Sequence, residues 1–320
     1  MKRTAKIAIA AGVTLIILAT VGLLVLSSLA PKPANPSAGG FLGVAEVGET
    51  ASYQPVEDFA AAVGRQPDIV LYYSGWKEAF QQRLAAEAYA HGATPFVQID
   101  PEHTSLAVIA AGHDDAYLIS YARQVKAYGH SVIIGFAAEM NGYWDPWGYG
   151  HTSPAVFVAA WRHVVTVFRH QGADNVIWLW TVDITEPGTG PVQDWWPGNS
   201  YVTWVGIDGY YYRRDYTFGD AFLPTIAEVR IFTQRPILLS ETAIGQVAGQ
   251  AAKIPDLFDG VRANHLLGLV WFDQTQSGGI YHQDWRLEDN PAGLAAFRQE
   301  LKTYREPGKS LSPRAGSLAG

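Results

Sequence analysis

Residues 131–141 read Ser131-Val132-Ile133-Ile134-Gly135-Phe136-Ala137-Ala138-Glu139-Met140-Asn141, in which Ser131–Glu139 is an apolar, β-branched run that ends on a glutamate. Such a run fits a strand buried on both faces, as in a parallel sheet covered by helices. Seven further runs share its character: Phe41–Val47, Ile69–Tyr73, Pro95–Asp100, Asn175–Asp183, Val202–Tyr211, Ile237–Glu241 and Leu267–Asp273. Amphipathic helical stretches separate most of them. Lys77–His91, Ala116–Tyr128, Pro154–His170 and Asp220–Phe232 are the clearest, and Pro291–Tyr304 closes the series. Ser153 before Pro154 is a cap residue followed by proline at the first helical position. Glu186–Ser200 is rich in Pro and Gly and predicts a loop with at most one helical turn. Eight β/α units in about 260 residues predict an α/β fold, a (β/α)8 TIM barrel in one domain over residues 41–304. An open doubly wound sheet is the alternative, but no glycine-rich phosphate loop follows the first strand.

The chain has 320 residues with 23 Lys+Arg against 30 Asp+Glu, a net charge of −7. Four of the positives, Lys2, Arg3, Lys6 and Lys32, fall in the first 40 residues, which hold no acid. The remainder therefore carries a net −11. A surface that acidic has no electrostatic means of gripping phosphates, so no nucleic-acid partner is expected. The absence of cysteine removes disulfides, thiolate metal sites and thiol nucleophiles together. Eleven Trp and sixteen Tyr supply flat amphipathic rings of the kind a sugar-binding cleft uses.

Ile7 to Ala30 is free of charge and follows three basic residues. As a helix it would be roughly 36 Å long, enough to cross a bilayer core. It reads as an uncleaved signal anchor; a signal peptide cut after Ala30 is the alternative. Either way, the rest of the chain is expected outside the cytoplasm, touching the membrane only through that segment. Residues 31–40 read as a linker and 305–320 as a disordered tail. The catalytic domain reads as a monomer.

Active sites of such barrels lie at the C-terminal ends of the strands. Those ends carry Trp76, Gln98 and Asp100, Glu139 to Asn141, Trp180 and Asp183, Asp208 and Tyr210, Glu241, and Trp271 with Asp273. Two glutamates following buried strands stand out, because desolvation penalises their charge. A carboxyl pair flanking a glycosidic bond does acid and nucleophile work, with a separation of about 5–5.5 Å giving retention.

The stretch Phe136-Ala137-Ala138-Glu139-Met140-Asn141-Gly142-Tyr143-Trp144-Asp145-Pro146-Trp147-Gly148 resembles the acid/base motif of glycoside hydrolase family 26, best known for endo-β-1,4-mannanases. Further similarities follow in order: Ala160 to Val165, Trp196-Pro197-Gly198, Val205 to Tyr210, Pro236 to Thr242, and Leu269 to Phe272. The resemblance spans roughly residues 41–300. It implies Glu139 as general acid/base and Glu241 as nucleophile of a double displacement, with no cofactor and no metal. It implies that Tyr210 hydrogen-bonds near the nucleophile, that Trp271 forms a platform under the sugar, and that Trp144 stacks beside the acid. Trp147, Asn141, Trp76 and Asp208 complete the expected substrate-binding set. The expected reaction is internal cleavage of a polysaccharide, β-1,4-mannan or glucomannan first. A β-glucan or exopolysaccharide is the alternative substrate, and a weakened, glycan-binding protein the alternative function. Two departures bear on the choice. Ala138 stands where the family carries histidine, and Gln98-Ile99-Asp100-Pro101 stands where related sequences tend to carry Trp-Glu-Pro.

Overall fold

The computed structural model describes residues 40–46, 48–276 and 282–304. The expected anchor and tail, with the linker up to residue 39, lie outside them. Among the described residues no helix is long and apolar enough to cross a membrane.

Eight parallel strands close into a barrel in chain order: β1 Phe41–Ala45, β2 Ile69–Gly75, β3 Thr94–Asp100, β4 Val132–Phe136, β5 Val176–Asp183, β6 Trp204–Tyr211, β7 Ile237–Ile244 and β8 Gly268–Phe272. Closure is made by β1 on β8, where Val44 pairs with Trp271. Around the barrel run α1 Gln54–Val63, α2 Gln82–Ala90, α3 Leu106–Ala110, α4 Asp115–Tyr128, α5 Pro154–His170, α6 Phe218–Ala221, α7 Leu223–Phe232, α8 Gln250–Ala263 and α9 Pro291–Leu301. A short antiparallel pair, β9 Thr275–Gln276 and β10 Gln283–Asp284, follows β8. Between β5 and β6 there are only two 3-10 turns, Val192–Trp195 and Asn199–Tyr201, in place of a fifth long helix.

Helix α5 has the predicted bounds, and Ser153 accepts from the Val156 amide at its start. The helix expected over Lys77–His91 begins only at Gln82, because Lys77 takes a left-handed backbone (φ 75°). The one expected over Asp220–Phe232 is two helices, with Pro224 in the first turn of the second. Proline has no N–H to continue the preceding turn, so a new helix starts there. The fourth strand stops at Phe136, and Ala137 (φ 50°) and Glu139 (φ 54°) both lie in the left-handed region. Two non-glycine residues held so close together lift the chain off the barrel wall and turn Glu139 back over its mouth. Helices α1 and α8 carry weaker signals in sequence, α8 holding Pro255 in its interior.

The barrel interior is layered. Its lower part is filled by Phe41, Ile69, Leu71, Phe96, Ile133, Ile177, Leu179, Trp204, Leu238 and Val270. Two residues further along the same faces come Tyr73, Gln98, Thr181, Gly206 and Ser240. A Cβ on Gly206 would meet Ser240 Oγ at 2.4 Å and Thr181 Oγ1 at 2.5 Å, so glycine makes room for that polar layer. The larger core lies outside, between the strands and the helices.

Candidate active site

A cleft of about 200 Å³ opens over the polar layer, lined by Tyr73, Gln98, Asp100, Glu102, Ala138, Glu139, Asp145, Trp147, Asp208 and Glu241. Glu241 reaches it through an irregularity in β7. Ile207 pairs with Leu239, but Asp208 pairs with Glu241, so Ser240 is an extra residue. Without it, strand alternation would send Glu241 outward with Leu239. Ser240 Oγ donates to Asp208 Oδ1 at 2.5 Å, tying the two strands together beneath the cleft.

Each oxygen of Glu241 accepts a tyrosine hydroxyl: Tyr73 Oη donates to Oε1 at 2.6 Å and Tyr210 Oη to Oε2 at 2.7 Å. Burial, and then the charge of Glu241, push both phenols well above their ordinary range, so they remain donors. Burial raises the Glu241 carboxyl above its ordinary range as well, and the two hydroxyls, which favour its anion, offset part of that rise. Glu139 lies differently. It accepts one donor, Trp144 Nε1, on Oε2 at 2.7 Å. Burial first, then the charge of Glu241, push Glu139 up to about 8. The cleft therefore holds one carboxyl that keeps its proton near neutrality beside a second that two hydroxyls stabilise as an anion. A pair with divided protonation can protonate a leaving group on one side and attack or activate on the other.

Trp144 is 42% exposed and its ring lies over Gly142, where a Cβ would come within 2.3 Å of the indole. Trp147 borders the cleft and donates Nε1 to the Ala138 carbonyl at 2.7 Å, fixing the segment that carries Glu139. Asp208 is buried at the cleft floor with Oδ2 unpartnered. Tyr210 is half-buried, packed at 4.9 Å against Trp285.

Three of the expected substrate-binding residues do not line the cleft. Trp271 is 0% exposed, so it offers no platform to a sugar. Val270 points into the barrel and Trp271 points outward, where its Nε1 donates to Asp273 Oδ1 at 3.0 Å and its ring meets Phe297 edge-on. Asn141 is fully buried and clasps the backbone of Asp183, donating to its carbonyl and accepting from its amide, both at 2.9 Å. Trp76 packs on Tyr117 and Phe136 and donates to Asp114 at 3.0 Å. Sequence reasoning passed over Tyr73 and assigned no chemistry to Asp145. Tyr73 lies two and four residues from Leu71 and Ile69 on the inward face of β2, but Val70 and Tyr72 make the other face equally apolar, so the sequence carries no signal that singles it out.

Among the described residues, one group of carboxylates has the spacing for a cation: Glu46, Asp273 and Glu288 bring one oxygen each within 4.8 Å of one another. Burial first, and then the charge of Asp273, push Glu46 up to about 10; burial first, and then Glu288, push Asp273 up to about 8.

The sequence profile of glycosyl hydrolase family 26 matches residues 114–299. Over 297 residues the chain is 30% identical to Endoglucanase H of Acetivibrio thermocellus, an alignment covering 88% of this chain and 32% of that protein. It is 28% identical over 166 residues to β-1,3-xylanase TXYA of a Vibrio species, covering 48% of this chain and 35% of that one. The chain thus spans about a third of the length of these curated relatives. A family 26 β-mannanase of Bacteroides ovatus superposes with a TM-score of 0.63 at 16% identity, covering 88% of this chain and 94% of its own. The catalytic domain of a Bacillus endo-β-1,4-mannanase does so with a TM-score of 0.62 at 16% identity, covering 84% and 87%. These two likenesses establish a shared fold. By the profile match over more than half its length, the chain belongs to glycosyl hydrolase family 26.

Proposed function

We propose that this protein is a retaining endo-β-glycanase, with Glu139 as general acid/base and Glu241 as nucleophile. The divided protonation of the two carboxyls carries the reading: a proton is stored on Glu139 while two tyrosine hydroxyls hold Glu241 as the anion. In the first step the Glu139 proton passes to the glycosidic oxygen as the bond to the anomeric carbon breaks. A Glu241 oxygen bonds to that carbon from the opposite face. In the second step Glu139, now ionised, takes a proton from water; the hydroxyl oxygen attacks the same carbon and Glu241 leaves. The configuration is inverted twice and so retained. Trp144 stacks on the sugar beside the acid, and Asp208, whose proton burial and then the charge of Glu241 favour, donates to a sugar oxygen at the floor.

A gluco-configured β-glucan is the first substrate choice, ahead of mannan. The sequence relatives are named for endoglucanase and β-1,3-xylanase activity, whereas the mannanases are alike in fold only. Ala138 in place of histidine fits that order. The barrel works outside the cytoplasm, held by the apolar stretch Ile7–Ala30.

The test is hydrolysis of mixed-linkage β-glucan, glucomannan, galactomannan and β-1,3-xylan by the full chain, with the product anomer followed by NMR. Cleavage with retention, abolished by Glu241→Ala, is expected. A folded protein inert on all four polymers, or a Glu241→Ala variant that still cleaves, would refute the reading.

A further inference from the structure

The loop after β4 carries three exposed rings within seven residues: Tyr143 at 55%, Trp144 at 42% and Tyr149 at 44% exposure. Tyr143 and Tyr149 lie outside the residues that line the cleft. A single exposed ring needs no explanation, but a contiguous patch of them beside a cleft marks a binding surface. Each of the three rings lies against a glycine. Trp144 covers Gly142, Tyr143 lies against Gly188 and Tyr149 against Gly190, and a Cβ at Gly142 or Gly190 would collide with the ring above it.

The backbone beneath the rings is fastened at several points. The Tyr149 amide donates to the Gly142 carbonyl and the Gly190 amide to the Asn141 carbonyl, both at 2.7 Å. His151 Nε2 donates to the Tyr143 carbonyl at 2.9 Å. The loops after β4 and β5 are thereby held together, with glycines packed against the rings and about half of each tyrosine left to solvent. The series starts at the acid: Trp144 donates to Glu139 at 2.7 Å and meets Tyr143 edge-on at 5.4 Å. In the double displacement, Glu139 hands its proton to the oxygen that departs with the leaving sugar, whereas Glu241 bonds to the sugar that stays. Rings continuous with the acid therefore meet the leaving part of the chain. A tyrosine suits that place, because its face takes the apolar C–H face of a sugar and its hydroxyl reaches the sugar's polar edge.

We propose that Tyr143 and Tyr149 extend the site on the leaving side, seating sugars further along the departing chain than the one on Trp144. The ligand is the neutral β-glycan chain that occupies the cleft, and the proposal rests on the glycanase reading of that cleft. It makes efficient cleavage depend on a chain that continues past the bond being cut, which is what directs the enzyme to internal bonds.

The test follows which bond the full chain cuts in a mixed-linkage β-glucan hexasaccharide that is isotope-labelled at its reducing end. The parent should release labelled fragments of two or three sugars. Tyr143→Ala and Tyr149→Ala should each shift release toward the single labelled sugar, while Tyr149→Phe, which keeps the ring, should keep the parent pattern. Gly190→Ala should act like Tyr149→Ala, because its methyl group displaces the ring without removing it. Thermal melts confirm that each variant folds. An unchanged pattern in both alanine variants overturns the proposal. So does a shift toward longer labelled fragments, which would put the rings on the other side of the cut. Affinity of the same hexasaccharide for the full chain carrying Glu241→Gln gives a readout without turnover. Removing either tyrosine in that background should weaken binding about tenfold, the loss of one stacked ring. Unchanged affinity in both cases overturns the proposal, as does a Glu241→Gln chain that binds no hexasaccharide. A parent that binds but cleaves nothing refutes hydrolysis, and the affinities then decide whether the tyrosines hold the glycan.

Discussion

Tyr73 and Glu241 stand 168 residues apart in sequence, yet the tyrosine hydroxyl donates to the carboxylate at 2.6 Å across the barrel mouth. With Tyr210 on the other oxygen, the carboxylate is fixed in plane by two donors from β2 and β6. A hydrogen bond to a charged group contributes about 1.5–3 kcal/mol, so Tyr73→Phe and Tyr210→Phe should each lower kcat/KM roughly 10- to 100-fold. Losing a donor to the anion raises the pKa of Glu241. The acid limb of the pH–rate profile should therefore move to higher pH in both variants. An unmoved limb in Tyr73→Phe would show that this hydroxyl has no part in holding the charge.

Glu139, pushed up to about 8 mainly by burial and then by Glu241, should set the alkaline limb if it is the general acid proposed above. Activity should fall as pH rises through about 8, where the acid loses its proton. The indole hydrogen bond from Trp144 favours the ionised form, so Trp144→Phe should move this limb upward. The same variant keeps an aromatic face for the sugar and should change KM little. Trp144→Ala should raise KM as well as moving the limb. Profiles of kcat/KM for the three proteins check both effects.

Buried carboxyls make stability depend on pH in a definite direction. Glu46 is pushed up to about 10, and Asp273, Asp100 and Glu139 each to about 8, from ordinary values of 4.5 for Glu and 3.8 for Asp. Between those limits the folded state holds protons that the unfolded chain has released, so stability falls as pH rises. This contribution is complete below about pH 4 and is lost progressively toward pH 8 and above. Thermal melts from pH 4 to 9 at constant ionic strength should show the decline, and Glu46→Gln should flatten it. Stability rising across that range would contradict the assignment.

Trp271 is a core residue of the wall between barrel and helices, with Phe297 against its ring. Trp271→Ala should cost about 3–5 kcal/mol of stability through the cavity it leaves. Trp271→Phe should cost less and leave KM close to that of the parent. Chemical denaturation and steady-state kinetics on one preparation separate the two roles. A large KM increase in the Phe variant would restore the ring to the sugar site.

Much of this architecture could be read along the chain. The eight apolar runs are the eight barrel strands, and Ser153-Pro154 marks the start of α5 where the cap forms. Glu139 and Glu241 end two of those runs, and both border the cleft. The sequence determines these features because strand and helix signals are local, and a carboxyl next to a buried run is conspicuous. What it does not mark is which face of each strand looks inward. A strand covered on both sides is apolar at every position, so no polar alternation tells Val270 from Trp271 or Tyr72 from Tyr73. Only barrel closure sends Trp271 toward the helices and Tyr73 toward Glu241. The extra residue at Ser240 has the same status. It shows itself only against the partner strand, where two residues face one, and it turns Glu241 into the cleft. Face and register are relations between strands, and the tertiary structure alone decides them.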